Sequence, residues 1–175
     1  MYIYHGTKNK FEDFDFSKIR ENATQEGVGF YCTDNKDIAE RYGHNGYVNI
    51  YKFVGKKHLS SDKVTLTKEM LKKYLLALHE EGSYLDNYGD VEWEGIDNVL
   101  KSALNGILDY STDDVEIVSG ICNAYGSFEE PLLKLYDLFG FDHSIVKGTW
   151  GNQNIYLILN PSAIKFIKRE KSLKK

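Results

Sequence analysis

Residues 27–43 read GVGFYCTDNKDIAERYG, and the order of the parts excludes the most familiar glycine-rich architecture. A Gly-x-Gly pair belongs to a dinucleotide-binding fingerprint only when it follows a strand and opens a helix. Here the glycines precede a β-branched and aromatic run, 28–33, that reads as a strand. Asp34 to Asp37 then supply a helix cap with an acid three positions on. Ile38, Ala39 and Tyr42 share one helical face, and Gly43 stops the helix. Tyr31 is therefore expected on a strand and Tyr42 on the helix after it.

Upstream, Tyr2 to Tyr4 reads as a short strand ending in a turn at His5-Gly6-Thr7; downstream, 47–54 alternates as another strand. The middle changes period. Apolar residues recur at helical spacing over 67–80 and 96–108. Two capping boxes, at Ser111 to Asp114 and Ser127 to Glu130, open two more helices, the last stopping at Gly140. Strand-like segments return at 141–147, 155–159 and 164–168, with a Gly/Asn/Trp-rich loop, 148–154, after the first. Strands at both ends flanking helices indicate an α+β fold: one domain, 1–175, with a helical insertion over about 60–140.

Composition limits the function classes. The 175 residues are 42% hydrophobic and 27% charged, with no apolar run long enough for a membrane span and no secretory signal at the start, so the cytoplasm is the expected compartment. Cys32 and Cys122 lack metal-ligand spacing and read as small buried hydrophobes; no metal site is expected. Net charge is -4, but residues 165–175 hold six Lys/Arg against one acid and read as a solvated terminus. Residues 80–116 hold eleven acids and one lysine. That balance disfavours a nucleic-acid-binding face and leaves open an acidic surface for a basic partner. His44, His58, His79 and His143 show no ligand spacing, and P-loop, zincin and nucleophile-elbow motifs are absent.

Taken singly, His5 reads as a structural residue, though Gly6 after it would let a ligand reach the main chain. Taken together, His5-Gly6-Thr7, Gly27-x-Gly29-x-Tyr31, the helix bearing Ala39 and Tyr42, and the late strand from Ile155 to Leu159 resemble the ADP-ribosyltransferases of diphtheria-toxin type, the class containing the poly(ADP-ribose) polymerases. The resemblance spans roughly 1–54 and 141–168. It implies a split sheet core, NAD+ as substrate, and a site with no metal. His5 would bond the 2'-hydroxyl of the nicotinamide ribose, Gly6 would clamp the carboxamide, and Tyr31 and Tyr42 would sandwich the ring. Thr7 and Gly29 complete the implied NAD+-binding set, and Ala39 stands where many relatives have serine. Two aromatic faces suit a cationic leaving group, each worth about 0.5–2 kcal/mol.

One departure bears on activity. Ile155 stands where many members carry a glutamate that bonds the ribose 2'-hydroxyl and stabilises the cationic transition state, so polymer elongation is not expected. Gln153 stands where toxin-like members select the acceptor side chain; the other reading is a polar turn before a strand. Trp150 is either a target contact or a core residue. The resemblance thus implies a mono-ADP-ribosyltransferase acting on a protein, in the manner of stand-alone bacterial effectors, toxins and phage-encoded modifiers. Three alternatives stay open: a non-catalytic NAD+ or ADP-ribose binding module, an NAD+ glycohydrolase, and an interaction protein whose acidic helices, with Asp109, Asp113, Asp114 and Glu116, occupy a basic partner.

Overall fold

In the computed structural model, residues 1–12, 14–16, 19, 27–148 and 153–173 are described; Trp150 lies outside them. They divide into two compact units, Met1–Leu59 with Phe141–Lys175, and Ser60–Gly140.

The first unit is built on an antiparallel sheet of six strands among the described residues: β1 (Tyr2–Thr7), β2 (Phe30–Thr33), β3 (Tyr47–Phe53), β4 (His143–Lys147), β5 (Asn154–Ile158) and β6 (Ile164–Lys171), in the order β4-β5-β2-β1-β3-β6. The pairing is uneven. β1 matches β3 continuously from Tyr2↔Lys52 to Thr7↔Tyr47, and β5 matches both β2 and β4 along its length. Between β1 and β2 only Tyr4↔Thr33 is paired. The sheet is therefore split into two three-stranded halves joined at one point, as expected for an α+β fold of this type.

Side chains alternate across a strand, and here both faces are covered. One face carries Ile3, Phe30, Cys32, Tyr51, Tyr156 and Ile158 in a buried cluster, with Phe11 and Phe14 packed against it. The other carries Val48 and Ile50, against which α1 (Lys36–Tyr42) lays Ala39. Asn35 caps α1 by accepting the Ile38 N–H, and the N–H of Gly43 closes the last turn on Ala39 O.

The second unit holds α2 (Lys68–Gly82), a short 3-10 turn (Tyr84–Asn87), α3 (Val91–Glu94), α4 (Ile96–Tyr110), α5 (Asp114–Tyr125) and α6 (Glu129–Phe139). Its core gathers Leu71, Tyr74, Leu75 and Leu78 of α2 with Val99, Leu100, Ile117, Val118, Ile121, Leu132 and Leu135, all buried. The hydroxyl of Tyr74, deep in it, donates to Pro131 O at 2.8 Å, which removes the penalty of burying it.

Several expectations need correction. His5-Gly6-Thr7 is not a turn: β1 runs straight through it. The basic end is not a solvated terminus as far as Lys171, because 164–171 form the edge strand β6, where lysines discourage further strand pairing. The cap before α5 is Asp113, which accepts the Glu116 N–H, and Glu116 reaches back to Thr112. α3, four residues capped by Asp90, falls below the length at which periodicity is readable. Cys32 and Cys122 are free and buried, as expected, and burial pushes both thiols up.

Candidate functional site

The point where the sheet splits is built by β1 itself. Phe53 N donates to Met1 O at 3.1 Å, which makes Met1 and Phe53 a hydrogen-bonded pair. Antiparallel pairs alternate, so the main chains of Ile3, His5 and Thr7 bond to β3 while those of Tyr4 and Gly6 turn toward β2. Tyr4 finds Thr33. Gly6, two residues on, has no strand partner on β2 among the described residues. Its N–H and C=O, a donor and an acceptor side by side, face the seam.

His5 accounts for the other bank. Its Nδ1 lies 2.7 Å from Tyr31 O, the carbonyl that an unbroken ladder would have offered to Gly6. A carbonyl only accepts, so Nδ1 carries the hydrogen and Nε2 keeps its lone pair. The ring stacks on Phe30 at 4.1 Å between centroids, with Phe11 at 5.6 Å. Burial lowers the His5 pKa to about 4, against the opposing effect of the bond to Tyr31. The imidazole is thus neutral at pH 7, with Nε2 available as an acceptor.

Gly6 is glycine for a reason the sequence does not show. A Cβ there would overlap the Ala39 carbonyl oxygen and stand 2.6 Å from Gly43 N and 2.9 Å from Tyr42 Cβ. The last turn of α1 therefore lies directly on β1 at this residue, which puts Tyr42 beside the seam. Tyr42 is 66% exposed, so its ring has little intramolecular burial to lose. Ala39 sits at the same contact, but its methyl is buried toward Val48 and Ile50. It faces the sheet, so a serine hydroxyl here would enter an apolar cluster.

Tyr31 follows Phe30 on β2, and strand alternation sends its side chain to the face opposite Phe30, the face that α1 covers. Its hydroxyl donates to Gly27 O at 2.5 Å. Gly27 and Gly29 both have positive φ, 115° and 143°, which lets the chain fold back under the tyrosine. Thr7 closes a small turn by accepting the Asn9 N–H at 3.1 Å.

The structure thus brings Gly6, the Ala39 carbonyl and Tyr42 together at the seam, with the Tyr31 side chain on the face that α1 covers and the His5 ring on the opposite face against Phe30. Ile155 pairs with Thr33, two positions along β2 from Tyr31 and on the same face. No acid occupies that position, and Asp34, the acid that follows β2, is engaged by the main-chain and side-chain amides of Asn154. Gln153 is buried and packed on Gly148, and its carbonyl accepts the Gly148 N–H at 3.1 Å. It directly precedes β5.

Sequence reasoning missed Asn49 and Arg169. Asn49, fully buried, is the cross-strand partner of His5 and donates to Phe11 O at 2.9 Å. Arg169 on β6 bonds Asn49 Oδ1 and the same carbonyl. Together they hold the segment that places Phe11 against His5. An asparagine inside an apolar alternating strand, 47–53, was the available signal.

A family model described as ADP-ribosyltransferase in polyvalent proteins matches residues 1–173. The chain belongs to this family. The match runs through the helical unit, so residues 60–140 are part of what the family shares, although the resemblance seen in the sequence motifs stopped on either side of them. No curated protein and no solved structure matches the chain. Among its described residues, the chain has no helix long and apolar enough to cross a membrane.

Proposed function

We propose that the protein transfers a single ADP-ribose from NAD+ to a protein acceptor and releases nicotinamide. The observation that carries this reading is the unpaired stretch of seam after Tyr4↔Thr33, where Gly6 presents an amide-shaped donor and acceptor between Tyr42 and the His5-capped carbonyl of Tyr31. The carboxamide of nicotinamide matches that pair of groups, and main-chain donors fixed in a strand orient it at little entropic cost. Tyr31 and Tyr42 are the rings assigned to its two faces, with cation–π attraction favouring the positively charged pyridinium of NAD+. Neutral His5, through Nε2, accepts a hydrogen bond from the adjacent ribose hydroxyl. Thr7 and Gly29 shape the two strand ends around it. Gln153 acts from its place just before β5 on acceptor recognition.

Ile155 decides between one transfer and many. An alkyl side chain cannot accept the bond from the ribose 2'-hydroxyl that a carboxylate would, so transition-state stabilisation rests on holding the leaving ring and on the geometry of bound NAD+. The same observation favours a second reading, a module that binds NAD+ without turning it over.

Incubation with NAD+ labelled in the adenosine moiety, together with a cell lysate, separates the two. Label on protein, lost in Tyr42→Ala, supports the transferase; saturable NAD+ binding with neither label nor nicotinamide release supports the module. Nicotinamide release without labelled protein would identify a glycohydrolase.

A further inference from the structure

The helical unit carries a surface that its own packing does not use. Asp90 accepts the Trp93 N–H at 3.0 Å, while its own N–H donates to Glu94 at 3.0 Å, so the four residues of α3 are capped from both directions. This ordered turn presents an indole that is 88% exposed, with Ile96 next to it 40% exposed. Tryptophan is the side chain that gains most from being covered, and a large exposed one on an ordered element marks a contact surface more often than scattered exposed aliphatics do.

Charge specifies what covers it. Asp86, Asp90 and Glu92, with Gly89 and Val91, line a shallow depression on this element. The carboxylates of Asp86, Glu92 and Asp97 have neither an ion pair nor a side-chain hydrogen bond among the described residues. Among the described residues, the one ion pair made by an acid of 80–116 is Glu81 with Lys134. The acids named earlier as candidates for such a surface are mostly spent elsewhere. Asp114 is buried and accepts from Thr65 and Leu66, Asp113 caps α5, and Glu116 holds Thr112. The uncompensated charge thus lies around Trp93, ahead of α5.

We propose that α3 and its flanks are a docking surface for an arginine-bearing segment of another protein. A guanidinium stacks on the open indole face while the carboxylates of Asp86 and Glu92 neutralise it and its neighbours. Lysine gains the charge attraction but not the planar stacking, so arginine is preferred. The surface acts independently of the NAD+ reading, since occupancy requires no turnover.

The probe is a fluorescein-labelled nona-arginine peptide titrated with the full chain and followed by anisotropy, at low and at moderate salt. Trp93→Ala and the pair Asp86→Asn/Glu92→Gln each weaken binding at least fivefold. Trp93→Phe, which keeps a ring, stays within about threefold of the parent, and nona-lysine binds more weakly than nona-arginine. The pair Glu69→Gln/Asp137→Asn, equal in charge and placed on α2 and α6, changes affinity less than twofold. Equal losses from the two charge pairs would show bulk attraction only and overturn the proposal, as would an unchanged Trp93→Ala. Self-association in sedimentation that Trp93→Ala abolishes would overturn the assigned occupant, making the cover a second copy.

Discussion

β1 has two edges, and they are finished differently. Against β3 it is paired over six consecutive residues; against β2 it is paired at Tyr4 and then released. The paired edge anchors the strand, and the released edge leaves main-chain polar groups facing a gap. Buried or half-buried main-chain groups are rarely left without partners, so the proposal has a ligand complete the bonding at this edge, which opens inside the sheet rather than at its margin. In the proposed function the same strand supplies rigidity on one side and recognition on the other, and Gly6 is where the two meet.

The largest effect that tests this asymmetry is on Gly6→Ala. The added methyl collides with the Ala39 carbonyl and costs about 3 kcal/mol or more; thermal unfolding shows the loss and NAD+ affinity goes with it. Val48→Ala, on the paired edge, also lowers the unfolding temperature, but the folded fraction keeps parental NAD+ affinity in calorimetry.

Next in size is the pH response of His5. Its folded pKa, about 4, lies below the ordinary value of 6.5, so between those pH values the unfolded chain binds a proton that the folded chain refuses. Stability therefore falls as pH drops from 6.5 toward 4 and levels off below. At pH 4.5 the cost is about 2.5 kcal/mol. His5→Phe, compared with the parent by urea unfolding at pH 7 and 4.5, removes that part of the slope.

Tyr42→Ala separates binding from folding. Because the ring is exposed, stability shifts by no more than about 0.5 kcal/mol, while NAD+ affinity falls about tenfold, matching about 1.4 kcal/mol of lost ring contact. The smallest effect is on Tyr31→Phe. It keeps the ring and loses the hydroxyl's bond to Gly27, for about 1 kcal/mol in urea unfolding and a few-fold change in NAD+ affinity.

How far the sequence carried this picture follows from the range of its signals. The β2-to-α1 unit was legible because it is local: an aromatic and β-branched run, a cap within 34–37, which the structure puts at Asn35 rather than three residues before Asp37, and the Gly43 stop lie within seventeen residues, 27–43. The seam was not. Gly6 read as part of a turn whose missing Cβ lets a ligand reach the main chain, whereas the structure requires glycine there because α1, thirty residues later, presses its backbone on β1. The depressed pKa of His5 depends on burial by Phe11 and Phe30 and is invisible from an isolated histidine. The acidic block shows the same limit. Composition found the charge of 80–116, but only coordinates separate Asp114, consumed inside the helical unit, from Asp86 and Glu92 on its surface.

A crystal structure with NAD+ tests the central claim most directly. The account predicts the nicotinamide carboxamide bonded to both the N–H and the C=O of Gly6, with the pyridine ring between Tyr31 and Tyr42 and His5 Nε2 on a ribose hydroxyl. A structure in which Gly6 pairs with β2, or in which NAD+ lies away from this seam, would contradict it.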